Sequence, residues 1–146
     1  MAIEKKSKKN TTSVNMTLRL DPRSKYLIDL LARQQKRTIT GVIEWAVERA
    51  GAETIFDNER GTSFLEAIDS LWSTDESARL VKLAMERPDL LDYDELRIWE
   101  TIKASTSFWD QNGQLAFTEL QREWDNLLEH VEKYRLSRAI KEYDFF

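Results

Sequence analysis

Residues 13–20, SVNMTLRL, alternate strictly between polar and apolar. Val14, Met16, Leu18 and Leu20 share one side of a pleated chain; Ser13, Asn15, Thr17 and Arg19 share the other. This is the only convincing strand pattern in the sequence. A β-strand cannot satisfy its own backbone N–H and C=O groups, so it needs a neighbour. The chain offers none: with Gly 4 and Pro 2 in 146 residues, few tight turns are encoded and hairpins are disfavoured. The economical neighbour is the same strand from a second copy of the chain.

Two helices are expected after the strand. Asp21 is placed to cap the first, with Pro22 at its first position, and Leu27, Ile28 and Leu31 form its apolar stripe. Lys36-Arg37 ends it. Thr38 caps the second helix, whose stripe of Ile39, Val42, Ile43, Ala46, Val47 and Ala50 recurs at i, i+3, i+4, i+7, i+8 and i+11. Gly51 is expected to stop that helix. Trp45 lies off the stripe, so it is either exposed or covered by another part of the chain, for which the C-terminal region is the expected cover.

In order, VNMTLRL, DPRSKYLIDLLARQQ, KR and TITGVIEWAVERA resemble the ribbon-helix-helix family of bacterial and phage DNA-binding regulators. The resemblance covers residues 13–50 or 13–51, about a quarter of the chain. It implies an obligate homodimer, because paired strands and four helices close one shared core. The residues in the positions of that dimer core are Val14, Met16, Leu18, Leu20, Leu27, Ile28, Leu31, Ile39, Val42, Ile43, Ala46 and Val47. It also implies that the outward face of the ribbon enters the major groove of double-stranded DNA, with Asn15, Thr17 and Arg19 reading base edges. Thr38, Ile39 and Thr40, at the start of the second helix, fall where the family holds a phosphate; Lys36 and Arg37 add charge beside it. The sequence departs from the family at Lys36, where glycine is common because the turn takes positive φ.

Charge separates the chain into two parts. Residues 1–50 hold 11 Lys+Arg against 5 Asp+Glu, and residues 51–146 hold 11 against 21, so a net charge of −4 is a +6 half joined to a −10 half. Residues 1–12 carry Lys5, Lys6, Lys8 and Lys9 and read either as a basic arm for DNA phosphates or as a solubilising tail.

Residues 52–146 are expected to form an acidic all-α domain for oligomerisation or for a protein partner or effector. They contain Trp72, Trp99, Trp109 and Trp124, and such aromatics at helical spacing usually mean a core. Residues 51–61 read as a connector. Ser63 or Thr62 starts one helix, Ser73 with Glu76 a second and Asp92 with Glu95 a third. Phe117, Leu120, Trp124, Leu127, Val131 and Tyr134 place a last helix from about residue 117 towards 143, either as a core helix or as a short coiled-coil seam. The closing Phe145-Phe146 docks either on its own domain or on a partner. The fold class is therefore mainly α.

Several functions are disfavoured. Cys 0 removes thiol chemistry and disulfides, and with His130 as the lone histidine no metal site of the nickel-sensing kind can be assembled. His130 is expected on an exposed helix face. No nucleophile elbow, phosphate loop or ligand cluster occurs, so no enzyme, cofactor or metal is expected. No membrane span or signal sequence is apparent, which fits a cytoplasmic protein. The leading expectation is a repressor that binds palindromic operator DNA as a dimer. Two alternatives share its DNA-binding half: an antitoxin whose C-terminal part neutralises a toxin, and an accessory protein of plasmid partition or conjugation.

Overall fold

A computed structural model of the chain describes residues 13–145. The fold is mainly helical, and the chain divides into two compact units between Ala50 and Gly51.

The first unit is built on α1 (Pro22–Gln35) and α2 (Ile39–Glu53). Asp21 caps α1 by accepting the amides of Arg23 and Ser24 at 3.0 and 3.3 Å, and Pro22, which has no N–H to leave unpaired, opens it. The helix ends at Lys36, whose φ of 53° and ψ of 44° place it in the left-handed region. It is the one non-glycine residue with positive φ among the described residues. The reversal lets the Arg37 amide reach back to the Ala32 carbonyl at 3.0 Å, closing the helix end. Thr38 then starts α2: its Oγ1 accepts the Gly41 amide at 3.0 Å. A Cβ at Gly41 would lie 3.2 Å from that oxygen, so glycine leaves room for the cap.

Two expectations for this unit change. Residues 13–20 carry no strand in the single chain, and all eight are exposed. A strand exists through its ladder, and no ladder partner is present. Gly51 does not stop α2, which continues to Glu53. Gly51 is helical and no positive φ is found there, so it does not act as a left-handed stop.

The second unit is not purely helical. Residues 55–63, expected to be connector and helix start, fold into a small antiparallel hairpin of β1 (Ile55–Asp57) and β2 (Thr62–Ser63). The Asp57 carboxylate accepts the amides of Glu59 and Arg60 at 2.9 and 3.3 Å, and Gly61 takes a φ of 67°. Phe56 is buried and meets Phe64 edge-on at 5.2 Å. Helices α3 (Phe64–Leu71), α4 (Glu76–Glu86), α5 (Tyr93–Ala104), α6 (Phe117–Arg122) and α7 (Trp124–Lys133) come after it. Ser63–Glu66 and Asp92–Glu95 form reciprocal capping boxes for α3 and α5. The expected box at Ser73–Glu76 is absent; Asp75 caps α4 by accepting the Ser77 amide, and Ser73 accepts the amide of Asp75.

The core of this unit gathers Leu80, Val81 and Ala84 of α4, Trp99 and Ile102 of α5, Phe108, Leu120 of α6, and Trp124 and Leu127 of α7. The expected last helix is broken at Glu123, whose φ and ψ of −90° and 6° leave the helical range, and it ends at Lys133 instead of running towards residue 143. The stripe Leu120–Trp124–Leu127 is nonetheless core, so its spacing reflects packing within one chain. The tail after α7 lies back over the core. The Tyr143 amide donates to Ser105 Oγ at 2.8 Å, and the rings of Tyr143 and Phe145 lie 5.8 and 5.2 Å from that of Phe108. Phe145 therefore docks on its own unit; Phe146 lies outside the described residues. His130 is half-buried instead of exposed, with Nε2 2.8 Å from the Lys141 carbonyl.

Candidate nucleic-acid interface

The first unit brings its apolar side chains to one place and leaves them uncovered. Leu18 and Leu20 of the segment before α1, Leu27, Ile28 and Leu31 of α1, and Val42, Ile43, Ala46 and Val47 of α2 line a single open groove of about 410 Å³. These are nine of the twelve residues expected to form a shared core. Val14, Met16 and Ile39 lie outside the groove, and Val14 is 89% exposed. Ser24 and Ala50 also line it; Ala50 was legible as part of the α2 stripe, whereas Ser24 carries no apolar signal. Only Val42 is buried in either helix. Two helices and the segment before them thus line an apolar groove that is open in the single chain.

The polar and apolar sets part at residues 18–20, while Val14 and Met16 lie outside the groove with Asn15 and Thr17. Asn15, Thr17 and Arg19 are exposed and none lines the groove, whereas Leu18 and Leu20 do. Arg19 offers a planar five-donor fork, Asn15 a donor and an acceptor, and Thr17 a hydroxyl and a methyl.

The turn between the helices gathers a second group. Lys36 and Arg37 are exposed, followed by exposed Thr38, Ile39 and Thr40 at the α2 N-terminus. The amides of Ile39 and Thr40 precede the first carbonyl that α2 could offer them, so this end of the helix presents donors and partial positive charge. Thr38 is occupied as a cap through its Oγ1, with its carbonyl accepting the Val42 amide at 3.0 Å. Lys5, Lys6, Lys8 and Lys9 lie outside the described residues.

Trp45 is half-buried, and the Arg49 guanidinium lies 5.7 Å from its ring centre. Among the described residues no group of three or more His, Asp or Glu side chains is placed to hold a metal ion, and no helix is long and apolar enough to cross a membrane. Comparison with protein-family models, with curated proteins and with solved structures finds no match to this chain.

Proposed function

We propose that the first unit is a ribbon-helix-helix DNA-binding module and that the protein is a sequence-specific transcriptional repressor. Residues 13–20 pair antiparallel with the same residues of a second copy, and the two open grooves close on each other as one core. Asn15, Thr17 and Arg19 then stand on the outer face of a two-stranded ribbon, which fits the major groove. The α2 N-terminus and Lys36-Arg37 hold flanking phosphates, as does the arm with Lys5, Lys6, Lys8 and Lys9. A two-fold symmetric reader binds a palindromic site. Such a regulator acts in the cytoplasm.

The observation that carries this reading is the division of the 13–20 segment. Leu18 and Leu20 line an unfilled groove while Arg19 between them does not, and the alternation of residues 13–17 continues the same pattern in sequence. The folded core of the second unit favours a regulator with a self-standing second unit over an antitoxin whose C-terminal segment folds only on its toxin.

Selection of bound fragments from source DNA, combined with footprinting, tests the reading. A protected palindrome is the expected result. Arg19→Ala should lower discrimination at one base pair in each half-site by about 1–3 kcal/mol. Unchanged affinity and sequence preference in that variant would remove the ribbon from the account. Footprints at an origin of replication or transfer instead of a promoter would assign the same surface to partition or conjugation.

A further inference from the structure

The second unit has an apolar groove whose floor includes Leu80 of the core and Ile98 packed against it, and whose edge stays open. It runs between α3, α4 and the start of α5 and holds about 390 Å³. Ile68 and Trp72, at i and i+4 on and just after α3, and Leu90 line it while staying substantially exposed; Trp72 is 61% exposed. Three other tryptophans of this unit are buried or half-buried, so Trp72 is the exception. A large aromatic left in water beside aliphatic neighbours is the usual make-up of a binding anchor.

The charges of the groove select its occupant. Glu76 and Glu95 line it, on a unit that carries a net −10. All three charged side chains also bond within the unit: Arg79 lies 5.3 Å from the Trp72 ring centre and donates to the Ser73 carbonyl at 2.8 Å, Glu95 accepts the Asp92 amide at 2.9 Å, and Glu76 accepts Trp124 Nε1 at 3.4 Å, which leaves two carboxylates against one guanidinium. A second copy of this unit would set like charge against like charge. A basic partner meets the carboxylates favourably. The walls are mostly helix faces, which present side chains and no free backbone ladder, so the occupant must satisfy its own backbone groups. An α-helix does so.

We propose that this groove, with Trp72 and Ile68 as anchors and Glu76 and Glu95 at its rim, docks a basic amphipathic helix of a partner protein. The occupant presents apolar residues at i, i+3 or i+4, and i+7, flanked by Lys or Arg. The proposal does not depend on DNA binding by the first unit.

The test is selection from a displayed library of random 16-residue peptides on the full chain, with binding of the selected peptides re-measured on Trp72→Ala and Ile68→Glu. Both sites are exposed, so the fold should survive, and circular dichroism verifies that. The expected peptides are basic, carry apolar residues at helical spacing, and bind both variants about tenfold or more weakly. Ile68→Glu adds negative charge, so peptides held by charge alone would bind it at least as well; that result overturns the proposal. Acidic or neutral peptides, or no enrichment, also overturn it. A fall in oligomeric state in the two variants would identify a second copy as the occupant. Much tighter peptide binding after removal of residues 1–12 would identify the chain's own arm. Either finding rejects a partner helix.

Discussion

The two units solve the burial problem in opposite ways. The second closes a core within one chain: Ile102, Phe108, Leu120 and Leu127 are wholly inaccessible to water. The first has regular, well-capped helices of 14 and 15 residues and buries one side chain in them, Val42. Local order is thus equally good in both, and it is the tertiary closure that differs. The comparison teaches that capping and periodicity specify helices without guaranteeing that a single chain can protect them. An open apolar groove of this kind is what the proposed pairing with a second copy would close.

The largest expected effect separates the units by cooperativity. Phe108→Ala empties the centre of the second unit and should cost about 3–5 kcal/mol in denaturant unfolding. That unit's transition should not move with protein concentration. The first unit's transition should shift to lower denaturant on dilution, as the proposed shared core requires. If the two transitions responded to dilution alike, the contrast between closed and open cores would be lost.

A smaller effect concerns the first unit. Lys36 bears the steric cost of a left-handed backbone, and glycine has no such penalty. Lys36→Gly should stabilise the first unit by about 1 kcal/mol and leave the second unit unchanged, as read from the two unfolding midpoints. The same substitution removes a charge beside the α2 N-terminus, so DNA affinity and stability should move in opposite directions.

The smallest effect belongs to the second unit alone. Burial pushes the Tyr143 hydroxyl up to about 12, aided by its hydrogen bond to Glu123. The neutral form is the one the fold favours. Its contribution is therefore complete below the ordinary tyrosine range near 10 and is lost as pH rises towards 12. Tyr143→Phe should flatten the fall of the second unit's Tm over that interval and leave the first unit's alkaline profile unaltered.

Much of the first unit was legible because its signals are local. Asp21, Pro22 and Thr38 act within a turn of where they stand, and the α2 stripe is continuous. Lys36 could be placed at a positive-φ turn, although its side chain argues against one, only through the resemblance, which implies glycine at that position. Gly51 was misread because a glycine after an apolar stripe need not leave the helix: α2 runs on to Glu53. The hairpin at 55–63 was missed because three residues cannot establish a period, and the turn is set by the Asp57 carboxylate and Gly61 rather than by a two-residue glycine signal. The break at Glu123 leaves no mark on the apolar spacing, because the stripe continues across it. The groove at Trp72 was hidden by a sound rule. Aromatics at helical spacing are usually core, and only the tertiary arrangement shows which one is left outside.

Because the chain contains no cysteine, single cysteines introduced one at a time from residue 13 to residue 20 report directly on the expected ribbon. In a two-fold antiparallel pair one residue faces its own copy, and the positions on either side face each other instead. Mild oxidation should give disulfide-linked dimers that peak at one position and decline on both sides, since the bond requires Cβ atoms about 4 Å apart. Absence of any such peak in a protein that remains monomeric would contradict the pairing of this segment with a second copy, and with it the proposed DNA-reading surface.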